Sequence, residues 1–233
     1  MKLLHPALLH LIVVSLLLVS CKAESAEKTG ESTSAQTTPD KDSIAANEGF
    51  FADYESTNRV IWQKPDLVIG FLGDLQDKTV ADIGAGTGHF SKRLVKKAKK
   101  VIAVDIDERF VHFLDSIRVN ELEAAESNRL EPRLALPDNP KLESGEVDAV
   151  LIVNTFMYIE NRVHYLEKLK EALTEGGKIL IIDFKKIRTP IGPPLEVRLP
   201  VDSVVNDLTL AGYQNIEANN GTLQYQYIVL AQK

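Results

Sequence analysis

The stretch Val80-Ala81-Asp82-Ile83-Gly84-Ala85-Gly86-Thr87-Gly88-His89-Phe90, followed by Val101-Ile102-Ala103-Val104-Asp105-Ile106-Asp107, decides the fold. The apolar run from Thr79 to Ile83 reads as a strand buried on both faces of a parallel sheet. Three alternate glycines then turn the chain sharply into a helix. Such a turn wants positive φ, and a side chain there would hold the backbone away from a ligand. Asp105 closes the next apolar strand about twenty residues on, where a carboxylate can accept hydrogen bonds from both hydroxyls of a ribose. An acid, a glycine turn and a second acid at the next strand end predict a nucleoside pocket.

The spacing separates this pattern from a dinucleotide fingerprint. In G-x-G-x-x-G the third glycine would fall on His89, which is bulky. Asp82, just before the turn, would repel a pyrophosphate at the helix N-terminus but suits a cationic amino-acid moiety. S-adenosyl-L-methionine has a ribose, an adenine, an ammonium and a sulfonium, and no phosphate. On these residues the chain resembles the class I S-adenosylmethionine-dependent methyltransferases.

Strand-like runs at 79–83, 100–105, 131–135, 147–153 and 178–184 alternate with helical patterns at 90–97, 108–120, 162–173 and 201–211. This alternation predicts an α/β fold with a parallel sheet. A last pair of strands, 214–218 and 224–231, is joined by the turn Asn219-Asn220-Gly221, which predicts an antiparallel hairpin at the sheet edge. Glu175-Gly176-Gly177 reads as a helix stop and strand entry. The whole matches the Rossmann-like, doubly wound, mostly parallel seven-stranded sheet with a C-terminal antiparallel hairpin that the resemblance implies.

Ligands of open α/β sheets bind outside the carboxyl ends of the strands, and that rule selects the candidate site. Asp82 and the loop Gly84, Ala85, Gly86 and Gly88 are expected to hold the methionine end of the cofactor, and Asp105 the ribose. Ile106 and Asp138 are expected at the adenine, although Pro137-Asp138 equally reads as an ordinary turn. Asn154 ends the fourth strand beside the expected methyl position, where a polar group must bond to something.

The resemblance runs over nearly all of 54–231. Arg59 and Trp62-Gln63-Lys64-Pro65 resemble a segment that packs over the cofactor mouth in a bacterial subgroup. Ile182-Asp183-Phe184-Lys185-Lys186, Gly192-Pro193-Pro194 and Leu223-Gln224-Tyr225-Gln226-Tyr227 resemble its later blocks. Trp62, Tyr158 and Asp183 are therefore substrate-side candidates, with core anchoring the plainer role for Trp62. Relatives commonly carry a His pair after strand four, where this chain has Met157-Tyr158. Catalytic residues stay unassigned, since transfer from a sulfonium needs alignment and, only for some acceptors, a base. The reading is a methyltransferase acting in line on a small or membrane-associated acceptor. The alternative is an exported, non-catalytic protein that retains the nucleoside pocket.

The ends set the context. Residues 1–20 read as a secretory signal, with Lys2 before an apolar core from Leu8 to Val19. Leu18-Val19-Ser20-Cys21 resembles a bacterial lipobox, which makes Cys21 a lipidation site and the cell envelope the expected location. Residues 21–42, rich in Ser, Thr, Ala, Glu and Lys, read as a disordered tether, and 43–233 as the methyltransferase domain. Cys21 is the chain's single cysteine, so neither an internal disulfide nor a Cys-based metal site is expected. A formal net charge of −6, without a basic face interleaved with aromatics, predicts no nucleic-acid partner. The acceptor is expected to be small or lipid-like, and oligomeric state is left unassigned.

Overall fold

The computed structural model describes residues 59–233. The expected signal, the expected lipidation site Cys21 and the expected tether lie outside the described residues. Helices α1 (Arg59–Gln63) and α2 (Pro65–Gly70) precede strand β1 (Thr79–Ile83). There follow α3 (Ser91–Leu94), β2 (Lys100–Asp105), α4 (Glu108–Asn120), α5 (Ala124–Ser127), β3 (Leu130–Leu134) and β4 (Val147–Val153). A 3₁₀ turn at Phe156–Tyr158 leads to α6 (Arg162–Ala172), β5 (Leu173–Phe184), α7 (Val201–Leu210), β6 (Gln214–Asn219) and β7 (Gln226–Gln232).

The strands form one sheet in the order β3-β2-β1-β4-β5-β7-β6. Strands β1 to β5 are parallel, and β7 runs antiparallel to both β5 and β6. The central strands are apolar without alternation because helices cover both faces. On one face Ile83, Ile102, Val150 and Ile181 pack against Leu166 and Leu169 of α6 and Val204 and Leu208 of α7. On the other, Val80, Val101, Leu151 and Ile182 pack against Val68 and Ile69 of α2, Leu94 of α3 and Leu114 of α4.

The terminal antiparallel pair forms at the sheet edge as expected, with β6 outermost and β7 between β5 and β6. Composition explains the order: Tyr227, Ile228 and Val229 are buried, whereas β6 is mostly exposed. Three details differ from expectation. First, the connection runs over 220–225, longer than the expected turn, and Asn219 Oδ1 caps it by accepting from the N–H groups of Gly221 and Thr222. Second, β5 begins at Leu173, and Glu175-Gly176-Gly177 is an irregularity inside the strand rather than its start. A side chain at Gly177 would lie 2.8 Å from the Thr174 carbonyl oxygen. Third, the helix expected at 90–97 is regular only over Ser91–Leu94, although Val95 and Ala98 stay buried.

Candidate functional site

The carboxyl ends of the central strands open onto a cavity of about 420 Å³, a volume in the range of small-molecule sites. Gly84, Ala85, Gly86 and Thr87 form its floor after β1, and Asp105, Ile106 and Asp107 stand after β2. Phe110 of α4, Ala135 and Pro137 after β3, and Tyr165 of α6 add a mostly apolar wall. Asn154, Thr155, Tyr158 and Ile159 close it after β4, and Arg59 of α1 reaches it from above. Arg59 is the only basic residue on that wall among the described residues.

The floor is shaped by backbone geometry. The N–H groups of Gly84 and Ala85 both donate to the Val104 carbonyl, at 2.8 and 3.0 Å, which presses the loop onto β2. Gly84 has φ +72°, and a Cβ there would overlap the Thr155 side chain. Gly86 has φ +54° and meets nothing within 4 Å of a would-be Cβ, so bare backbone faces the open cavity. Gly88 faces the other way: its Cβ would lie 2.8 Å from Leu114 Cδ2, so it lets the loop pack on α4.

Asp105 braces this loop from the side. Its Oδ2 accepts from Gly86 N–H at 2.9 Å and its Oδ1 from Asp107 N–H at 3.0 Å. Burial, at 7% exposure, pushes its carboxyl above the usual range while those backbone donors pull it back. An ionised carboxylate has about four lone-pair positions, so each oxygen can still accept from a ligand hydroxyl. Asp107 turns away and caps α4, accepting from Arg109 N–H at 2.9 Å.

The wall after β4 is held by contacts distant in sequence. Asn154 leaves the strand with φ +57°, a conformation uncommon outside glycine. Its N–H donates to the Ile182 carbonyl at 2.8 Å, and its Oδ1 accepts from Gln226 Nε2 at 2.5 Å. Gln226 is fully buried on β7. Beside it, Asp183 Oδ2 accepts from Met157 N–H at 3.0 Å. Complete burial pushes Asp183 up to about 8, against the pull of the backbone N–H groups around Asn154, Thr155 and Met157. Tyr227 stands directly opposite in the β5–β7 register, and burial raises its phenol further above the usual range.

Of the expected site residues, Gly84, Ala85, Gly86, Asp105, Ile106, Asn154 and Tyr158 stand on the cavity wall. Asp82 does not. It is buried behind the loop, accepting from Ser91 Oγ at 2.6 Å, and burial raises its carboxyl to about 6. It ties the end of β1 to the start of α3. Gly88 packs on α4, as described. Asp138 is exposed and belongs to a tight turn closed by reciprocal backbone bonds between Leu136 and Asn139. Trp62 packs on Phe184 at 5.5 Å and Tyr225 at 6.4 Å, off the wall. Asp183 lies wholly beneath the surface. His164, on α6, is exposed beside Glu167.

The sequence reading missed Phe110, Ala135, Pro137 and Tyr165 as wall residues. Phe110 begins the buried series Phe110, Leu114, Ile117 of α4, so helical period was a usable signal for it. Ala135 and Pro137 flank the strand end that drew attention to Asp138. Tyr165 and Gln226 carry no local mark.

An open sheet with a glycine floor after β1 and a buried acid after β2 is a Rossmann-like nucleoside site. Among the described residues its wall carries one cation, Arg59, with no second basic group, and the bare backbone of the glycine floor. Residues 81–179 match the family described as Methyltransferase domain. That match runs from within β1 through β4 and takes in the glycine loop and Asp105, the same segment on which the chain resembles the class I S-adenosylmethionine-dependent methyltransferases. A solved structure of a SAM dependent methyltransferase from Aquifex aeolicus superposes with a TM-score of 0.71 at 24% identity, covering 79% of this chain and 97% of that one.

Among curated proteins, the tRNA U34 carboxymethyltransferase of Actinobacillus succinogenes is 27% identical over 57% of this chain and 40% of its own length. The protein of the same name from Psychrobacter arcticus is 29% identical over 61% of this chain and 43% of its own. The chain thus spans less than half the length of these relatives. Their names overturn the expectation of no nucleic-acid partner. Net charge is a sum over the whole chain, whereas contact with a polyanion is made by a local surface; a value of −6 therefore does not exclude one.

Proposed function

We propose that this chain binds S-adenosylmethionine in the cavity and catalyses in-line transfer of its methyl group to an acceptor admitted past Tyr158. The observation that carries the reading is Asp105, braced between Gly86 and Asp107 on the rim of a bare glycine floor. In this reading Asp105 accepts from the ribose hydroxyls, and Ile106, Phe110, Ala135 and Pro137 flank the adenine. Arg59 faces the amino-acid carboxylate as a charge-assisted donor. When bound, the cofactor supplies a methyl group already activated on a sulfonium.

The residues around it align the reactants and exclude water. No histidine stands on the wall among the described residues, and Met157 is buried with its N–H on Asp183. The site therefore favours an acceptor atom that is nucleophilic without first losing a proton. The wall is mainly apolar, so the part of the acceptor that enters is uncharged, as a free molecule or as one base of a polymer. The sequence led to a small or membrane-associated acceptor; the names of the relatives bring tRNA into the same test.

The experiment has two stages. Calorimetric titration of the full chain with S-adenosylhomocysteine should give saturable binding; a folded protein that binds none overturns the reading. Transfer of labelled methyl is then followed with total tRNA and, separately, with small metabolites and lipid extracts. Label in tRNA alone assigns an RNA acceptor, and label in the other fractions alone restores the sequence-based expectation. The envelope location is a separate proposal: Cys21→Ser should release the protein to the soluble fraction, and continued membrane association would refute lipid anchoring.

A further inference from the structure

Arg198 is 4% exposed; it does not line the cavity, and among the described residues it pairs with no carboxylate. Its guanidinium donates to five neutral oxygens of its own loop. These are the carbonyls of Lys185 at 3.2 Å, Ile187 at 2.9 Å, Ile191 at 3.3 Å and Pro193 at 2.8 Å, and Thr189 Oγ1 at 2.8 Å. A buried charge is costly unless its donors are satisfied, and here the loop between β5 and α7 is wound around it to satisfy them. The rigid donor fork of arginine suits that task; the compact ammonium of lysine does not.

The knot has one aromatic neighbour. The Arg198 guanidinium sits 5.1 Å from the centroid of Phe184, the last residue of β5. Gly192 presses on the same ring: with φ +100°, its Cβ would fall 2.5–2.8 Å from three ring carbons. Trp62 of α1 lies 5.5 Å away, centroid to centroid, tilted at 45°. Helix α1 is five residues long and holds Arg59, whose Nε donates to Gln63 Oε1 at 2.6 Å. A helix that short has little stability of its own, so its position depends on where Trp62 docks.

We infer that Arg198 is a positioning residue for ligand binding: it fixes Phe184, on which Trp62 seats α1, so that Arg59 covers the amino-acid end of the bound nucleoside. The inference rests on the proposed cofactor cavity and adds the part that holds its cover in place. It also gives Gly192 and Trp62 a shared purpose, since both pack against the Phe184 ring.

The test compares S-adenosylhomocysteine, which has the amino-acid moiety, with adenosine, which lacks it, on the full chain by calorimetry. Arg198→Met should weaken S-adenosylhomocysteine about tenfold, the scale of one charged hydrogen bond, and leave adenosine within about twofold. Should Arg198→Met not fold, Trp62→Leu keeps the knot intact and removes only the dock, with the same selective loss expected. The double variant should bind as the weaker single variant does, because both act through one contact. Equal weakening of the two ligands, or unchanged binding of both, overturns the inference and leaves the proposed function standing. A wild-type chain that binds neither ligand removes both.

Discussion

The two halves of the cavity are built on different scales. On the β1–β2 side the bracing contacts are close in sequence: Gly86 to Asp105 spans 19 residues and Asp107 to Asp105 spans 2. On the β4–β5–β7 side Asn154 is held by Gln226 across 72 residues, and Met157 by Asp183 across 26. The first half is a motif, folded by its own glycines and strands. The second needs β5 beside β4 for the Met157–Asp183 bond and β7 beside β5 for the Asn154–Gln226 bond. The β1–β2 half therefore leaves a readable mark in the sequence, whereas the β4–β5–β7 half is assembled from residues unremarkable one by one.

If the first half holds the ligand, Asp105→Ala should have the largest effect. Losing two charged hydrogen bonds, at ~1.5–3 kcal/mol each, should weaken S-adenosylhomocysteine by about a hundredfold or more. Calorimetric affinity near wild type would place the ribose elsewhere and break the contrast. Gly84→Ala tests the seam where the halves meet. Positive φ costs a non-glycine residue ~1–2 kcal/mol and crowding a further ~1–3, so denaturant unfolding should report a loss of ~2–5 kcal/mol. An unchanged midpoint would mean that the Thr155 loop moves freely away from the floor.

The second half predicts a kinetic signature. Gln226→Leu removes the buried bond to Asn154 and should lower turnover about tenfold, with affinity for S-adenosylhomocysteine unchanged. A fall in affinity with constant turnover would assign Asn154 to the nucleoside instead. Asp183 should act most gently at any one pH. Its folded pKa is raised, so its contribution to stability is fully present below the ordinary carboxylate pKa and is lost as pH rises through about 8. Asp82 shares this behaviour only up to about 6. Between about 6 and 8, wild-type stability should therefore fall with pH by at most ~1.4 kcal/mol per unit. Asp183→Asn, which cannot titrate, should flatten that slope in thermal melts at stepped pH; an unaltered slope would mean that Asp183 is ionised.

The sequence by itself determined the parallel sheet, the glycine floor and Asp105 at its edge. Apolar period, positive-φ turns and strand-end position are local properties of the chain, and α4 runs over the expected Glu108–Asn120. It left open what surrounds a side chain. Asp82 carries the charge expected for an ammonium partner, and the structure places it behind the loop with Ser91. Asp138 follows a proline, and of its two sequence readings the turn is the one seen to form. Tertiary structure alone decided that Asp183 is wholly buried, with its carboxyl pushed up, and that Gln226 bonds to Asn154. It alone brought Arg198 and Trp62 both against Phe184. Those outcomes depend on which strand lies beside β5, and no window of sequence contains both partners. Local patterns record the conformation of a segment; the environment of a side chain is set by the segments packed on it.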